Sequence, residues 1–466
     1  MKKLNRKLIV LAFVVLLIVS WVVVLGIPSN NDVQAELIRQ AEEYIADGVF
    51  ILAVPLLEDA AGMNAAQTDD AEYLLKGVYL ELIDQRGFRR RYLDLLDRQM
   101  RRRDAPPEIF MEAAKFHLED ARLGEAFAIL REGIARTESE ELIDLFEAHR
   151  YAFRMGRDTY DDVTAIFGTT IGVSRDGLWG IANSDGTLLI PIEYEQVSTF
   201  SAGRAIVQQN GVISAINQDN NRVALLRQDD LDFTILGFGN FANERIALHT
   251  SEGWRRATGS FLMGAATFEE IGTYSGGFAA ARQNGRWGVI GRENTWLIPP
   301  EHDEIIMDEL GRAYAQGAVF VRNGNAVHLF VNGRQVGESF EDARPFGEAG
   351  YAAVMRNGLW GFINNSGELM IDFQFADALS FGQHLAAVKI IVQEVWDVPD
   401  TLSEHAENSE WDGEIARWGF ISLRGEMVIE PEFLNARSFA NGSAPVLTPN
   451  GWRFITLVEF MRGASM

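Results

Sequence analysis

Two tryptophans set among carboxylates are the residues of this chain best placed to do chemistry. Between Lys389 and Arg417 the segment QEVWDVPDTLSEHAENSEWDGEI carries Trp396 and Trp411, eight acidic residues from Glu394 to Glu414, and no Lys or Arg. Aromatic anchors beside Asp397, Asp400, Glu404, Glu407, Glu410 and Asp412 suit a basic partner or a divalent cation, and the plainer reading is a solvated extension of one hairpin. Other candidates are thinner. The histidines (His117, His149, His249, His302, His328, His384, His405) are scattered, with no H-E-x-x-H helix and no paired metal spacing. There is no cysteine, so disulfides, thiolate metal sites and Cys nucleophiles are excluded. Neither a G-x-S-x-G elbow nor a G-x-x-x-x-G-K-[ST] phosphate loop is present. Turns such as Asn183-Ser184-Asp185-Gly186 and Asn217-Gln218-Asp219-Asn220 offer oxygen ligands but lack the ligand series that ends in Glu in a calcium loop. No catalytic residue, metal ligand or cofactor site is assigned. A hydrolase would instead need three or more acids from distant repeats converging in one pocket beside an exposed aromatic.

These residues have to be positioned by elements, and composition bounds those. At 466 residues the chain is long enough for two or three folded units, and 47% hydrophobic against 23% charged residues allows a sizeable core. The net charge of −24 lacks the basic face that nucleic-acid binding needs, so no nucleic-acid partner is expected. Residues 1–30 hold a cytoplasmic stub and an anchor. Leu8 to Ile27 is an uncharged apolar run of 20 residues, which as a helix spans roughly 30 Å, the hydrocarbon thickness of a bilayer. Lys2, Lys3, Arg6 and Lys7 precede it and no Lys or Arg follows until Arg39, so the positive-inside bias predicts a single-pass protein with a cytoplasmic N-terminus. A cleaved signal peptide ending at Val33-Gln34-Ala35 is the alternative, disfavoured by the length of the run and its distance from that site. Either way the bulk of the chain is expected outside the cytoplasm.

From residue 34 to residue 153 the apolar spacing is helical. Gly48, Gly87 and Gly124 recur at separations of 39 and 37 residues between amphipathic stretches, which predicts stacked helical hairpins with glycine in the turns. Pro55 falls inside the first unit and is expected to disturb its helix. Glu112 to Ile134, with Ala113-Ala114 and the turn Leu123-Gly124-Glu125-Ala126, resembles a tetratricopeptide repeat. That resemblance implies a groove for peptides or proteins. Eight arginines between Arg86 and Arg103 are interleaved with Asp94 and Asp97, a pattern that reads as a solvated helix face in preference to a binding patch.

From residue 160 to residue 460 the texture is short strands. Tyr160 to Gly177 matches Tyr194 to Gly211 at a constant offset of 34, and Trp179, Trp254, Trp287, Trp360, Trp418 and Trp452 fall near multiples of that period. Asp176-Gly177, Asn210-Gly211, Asn284-Gly285, Asn323-Gly324, Asn357-Gly358 and Asn450-Gly451 each separate two strand-like runs, as type I′ hairpin turns do. Trp179-Gly180, Trp287-Gly288, Trp360-Gly361 and Trp418-Gly419 read as structural packing units between repeats, since a strand Trp buries a large area and a strand Gly admits a close neighbour.

This repeated dipeptide, with G-x-W-G-F-I, a strand ending in Pro191, Pro299 or Pro431, and Phe200-Ser201-Ala202-Gly203-Arg204-Ala205, resembles the WG-repeat family. Members are largely bacterial and are usually treated as interaction modules, so the resemblance implies protein binding and no activity. Seven full units and an incomplete eighth predict a β-propeller of seven or eight blades, with an open superhelix of β-hairpins as the alternative. The acidic segment 391–416 is then an arm inserted in one repeat. The expected protein is a multidomain α plus all-β, membrane-anchored scaffold in the bacterial envelope that binds protein partners, or alternatively an envelope glycan or small ligand, without catalysis.

Overall fold

A computed structural model describes residues 29–392 and 415–458, and the chain divides into two compact units, Met1–Ala148 and His149–Met466. The anchor at Leu8 to Ile27 and the arm residues Trp396, Asp397, Asp400, Glu404, Glu407, Glu410, Trp411 and Asp412 lie outside the described residues. Among the described residues no helix is long and apolar enough to cross a membrane.

The first unit is helical. Its described residues form helices α1 (Asn30–Ala46), α2 (Phe50–Gly62), α3 (Thr68–Glu81), α4 (Phe88–Met100), α5 (Pro107–Glu119) and α6 (Leu123–Thr137), and a seventh, α7 (Glu140–His149), reaches its boundary. Helix α1 starts in a capping box: the Asp32 amide donates to Ser29 Oγ at 3.2 Å and the Ser29 amide to the Asp32 carboxylate at 3.0 Å. Leu57, Leu75, Leu95, Leu96 and Ala113, contributed by α2 to α5, meet in one buried core, which is what the helical spacing of their apolar residues requires. Gly48 and Gly87 occupy turns with φ of 72° and 95°. Gly124 does not: it is buried in the first turn of α6, and Ala121, with φ of 54°, supplies the left-handed residue before it. Pro55 is accommodated inside α2 with its ring exposed. The arginine-rich stretch is ion-paired within the unit, through Arg89 to Asp120, Arg91 to Glu58 at 3.0 Å, Arg101 to Asp97 at 2.7 Å, and Arg102 to both Asp69 and Glu72 at 2.7 Å.

The second unit is an eight-bladed β-propeller. Its described strands form eight four-stranded antiparallel sheets, at 162–194, 196–225, 235–268, 270–302, 304–340, 342–375, 377–392 with 415–433, and 435–457. Each of the first seven blades is a meander of four consecutive strands. The eighth takes three from the end of the chain and its fourth from Phe153–Met155, which pairs antiparallel with Gly451–Leu457. This strand lies where spacing alone continues the helical segment. Closure of a ring removes the edges that an open array of hairpins would expose, so the superhelix is not the architecture adopted.

The repeated residues hold the ring together. Trp287, Trp360, Trp418 and Trp452 are buried and Trp179 is half-buried. Trp179, Trp360 and Trp418 each lie on a third strand opposite an aromatic on the fourth: Tyr194, Phe375 and Phe433. The register slips immediately after each of these tryptophans. At that bulge a Cβ on Gly180, Gly288, Gly361 or Gly419 would lie 2.7, 2.5, 2.7 or 2.6 Å from the carbonyl of Ile190, Ile298, Ile371 or Ile429, so the glycine is a steric requirement. The next residue links blades: Phe362 packs on Phe381 of the following blade at 4.9 Å, and Phe420 on Phe439 at 4.8 Å. Of the six expected hairpin turns, four have positive φ at both central residues: Asp176-Gly177, Asn210-Gly211, Asn284-Gly285 and Asn357-Gly358. In the other two the register moves by one residue, with Asn323 opposite Ala326 and Thr448 opposite Gly451.

Candidate functional site: the central cavity

The first strand of each blade lies at one edge of its sheet and is only two residues long in most blades. The segment that follows it turns back before the second strand, and from several blades these segments enclose a cavity of about 850 Å³. Its size suits a drug-sized ligand or a short peptide segment.

Its charged residues come from two sources. Arg344 and Arg437 stand at the same place in the sixth and eighth blades, in Ala343-Arg344-Pro345-Phe346 and Ala436-Arg437-Ser438-Phe439. Each guanidinium lies over the tryptophan of its own blade, Arg344 at 4.9 Å from the Trp360 ring centre and Arg437 at 5.0 Å from that of Trp452. Blade seven, between them, has Leu379 at the corresponding position and adds Asp377, Lys389 and Trp418 to the wall.

The second source is a departure from the repeat in blade five, where Met307-Asp308-Glu309-Leu310-Gly311-Arg312 extends the segment after the first strand. The loop is fastened locally: Asp308 accepts from the amides of Leu310 at 3.0 Å and Arg312 at 2.8 Å and pairs with the Arg312 guanidinium at 2.7 Å. It also crosses the ring. The Leu310 carbonyl accepts from Asn240 of blade three at 3.1 Å and from the Thr273 hydroxyl of blade four, and the Gly311 carbonyl from the Thr273 amide at 2.8 Å. The Arg312 guanidinium reaches the Phe167 ring of blade one at 5.6 Å, and the Glu309 carboxylate sits on Arg437 of blade eight.

Burial pushes the Glu309 carboxyl above its ordinary value, with Arg437 opposing and Asp308 reinforcing the shift. The side chain is 41% exposed, and that surface faces the cavity. Asp377 accepts from Arg344 at 3.4 Å. Three of the four acids lining the cavity, Asp308, Glu309 and Asp377, are thus held by guanidinium groups; Glu348 is the fourth. Of the aromatics that line it, Phe346, Phe381, Trp418 and Phe439 are buried and Tyr314 is half-buried. Among the described residues no three His, Asp or Glu converge as a metal-binding group.

Trp418, read from the sequence as a packing residue, lines this cavity, and sequence reasoning assigned no residue to a site here. The signal existed in the recurrence of A-R-x-F at 343–346 and 436–439 and in the lengthened segment of blade five. Neither stands out until the ring brings them together.

The WG containing repeat model matches residues 179–212, 265–287, 339–360, 360–390 and 418–452. The chain carries WG containing repeats. Each full-length match runs from the third strand of one blade to the second or third strand of the next, so a WG repeat straddles two blades and ties them covalently. Solved structures that match include Kluyveromyces lactis Hsv2, at 9% identity over 62% of this chain and 91% of that one with a TM-score of 0.36. The Neurospora crassa Pan2 WD40 domain matches at 11% identity over 49% of this chain and 86% of that one with a TM-score of 0.30. No curated protein matches.

Proposed function

We propose that this chain is a membrane-anchored interaction scaffold of the bacterial envelope. Leu8 to Ile27 fixes it as a single-pass protein with its N-terminus in the cytoplasm. The helical unit, read as tetratricopeptide-like, and the WG-repeat ring carry the surfaces that bind protein partners outside the membrane. One observation carries this reading: the residues that define the repeat are used for architecture. Tryptophans are buried beside strand-four aromatics, glycines admit a carbonyl at a bulge, and phenylalanines join blades. What differs between blades is then available for recognition, foremost the acidic arm with Trp396 and Trp411, whose charge suits a basic partner.

A second reading, an envelope glycan or small ligand bound in the ring, is favoured by the cavity itself and the charged residues in its lining. A hydrolase would draw on the same carboxylates, but the guanidinium partners of Asp308, Glu309 and Asp377 favour binding over acid–base work. In-cell cross-linking of the anchored protein followed by mass spectrometry separates these readings. Defined envelope proteins captured in fixed ratio support the scaffold; retention of glycan or a small molecule with no protein partner supports the second reading.

A further inference from the structure

The cavity's two repeat-equivalent arginines are under-used. A guanidinium has five N–H donors, yet the hydrogen bonds of Arg437 and Arg344 to carboxylates are one each, to Glu309 and to Asp377. In both residues Nε is buried with no hydrogen-bond partner. Their undersides rest on Trp360 and Trp452, which fixes the planes of the two forks. Between them the wall of blade seven offers the apolar Leu379 and the cation Lys389. Two guanidinium groups on either side of an apolar step, with an ammonium alongside, suit a molecule bearing more than one carboxylate.

Glu309 shows which anion the site accepts. It lies in the added loop of blade five, and the backbone of that loop is held by Asn240 and Thr273 whatever the Glu309 side chain does. Its carboxylate on Arg437 is a Glu side chain brought to the site from within. We propose that the propeller cavity binds a carboxylate ligand on Arg437 and Arg344, at the place the Glu309 side chain fills when the site is empty of ligand. The ligand is a free short dicarboxylate or the side chains of an acidic peptide; the chemistry recognised is the same. The proposal stands apart from the scaffold reading and survives if no protein partner is found.

Isothermal titration of the full-length protein in detergent micelles tests it with three probes: glutarate, a hexaglutamate peptide and inorganic phosphate. Wild type is expected to bind a carboxylate probe. Glu309→Gln, nearly isosteric, should tighten binding about tenfold by removing the internal competitor, and Arg437→Gln should weaken it about tenfold or more, the size of one charge-assisted hydrogen bond. Hexaglutamate binding more tightly than glutarate identifies a peptide source, and the reverse order a free dicarboxylate. Arg437→Lys is the companion if Arg437→Gln does not fold, and it should still lose most of the affinity because an ammonium cannot replace the fork. The proposal is overturned if neither wild type nor Glu309→Gln binds glutarate or hexaglutamate, if phosphate binds as tightly as either, or if a folded Arg437 variant binds like wild type.

Discussion

Tyr160 and Trp452 exchange both backbone hydrogen bonds, at 3.0 and 2.9 Å, across the seam where the last repeat meets the first. The seam is sealed beneath them by Phe454, which is 1% exposed and meets the Tyr160 ring edge-on at 6.0 Å. Phe454→Ala is expected to destabilise the propeller by about 3–5 kcal/mol, the usual cost of truncating a fully buried Phe. Denaturant unfolding followed by near-UV circular dichroism checks it. A loss under about 1 kcal/mol would mean that the seam does not limit stability.

Two glycines, one between blades and one in an open turn, make a second contrast. A Cβ on Gly382 would fall 2.0 Å from the Phe439 carbonyl of the next blade, whereas one on Gly358, in a turn with φ of 74°, meets nothing. Gly382→Ala must push neighbouring blades away from each other and should cost at least about 3 kcal/mol. Gly358→Ala bears only the left-handed backbone penalty of about 1–2 kcal/mol. Thermal melts of both variants side by side give the order; equal losses would refute the inter-blade contact.

These positions show what could be read from the chain. The ring was legible because the turn dipeptides and tryptophans repeat: Asn357-Gly358 and Trp360-Gly361 each state a local rule, a positive-φ turn and a bulge, that holds without knowledge of the neighbours. The eighth blade was legible only as incomplete, since Phe153-Arg154-Met155 has no repeat signature and its pairing with Gly451–Leu457 spans the whole ring. Gly124 misled for a related reason: a glycine marks a turn or a close approach equally well, and here Ala121 makes the turn. The cavity was hidden because Glu309 and Arg437 are 128 residues apart, and no periodicity links an added loop of blade five to a connecting segment of blade eight.

Glu309 should leave a signature in pH. Its pKa is raised in the folded protein from an ordinary 4.5, so the native state holds this proton more tightly than the unfolded chain. Stability from this group is therefore present below the ordinary value and is lost as pH rises through the raised one. Arg437, Arg344 and Asp308 are the charged groups that face the carboxylate. Relative to wild type, Glu309→Gln is expected to gain stability as pH rises above the ordinary carboxylate value of 4.5, measured by urea unfolding at each pH. Parallel curves for the two proteins would contradict the shift.

In the helical unit, Arg102 and Arg101 look alike in the sequence and differ in surroundings. Arg102 pairs with Glu72, whose side chain is 9% exposed and also accepts from Gln99 at 2.8 Å. Arg101 pairs with Asp97 one turn away on an open face. Arg102→Ala leaves a buried carboxylate without its cation and should cost about 1–3 kcal/mol, discounted from a fully buried pair because Arg102 is itself partly exposed. Arg101→Ala should cost under about 0.5 kcal/mol. Chemical denaturation of each variant measures the difference, and similar small effects at both would return the arginine stretch to consideration as a binding patch.

The arm tests the central claim, that the repeats build the ring and the departures from repetition do the recognising. Val392 and Ile415 are Cα partners in the ladder, so a two-residue turn can replace residues 393–414 without disturbing blade seven. The decisive measurement compares the proteins cross-linked in cells to the intact chain and to this deletion, with the melting temperature of each. The account predicts unchanged melting and the loss of at least one defined envelope protein from the captured set. An identical captured set at unchanged melting temperature would contradict it.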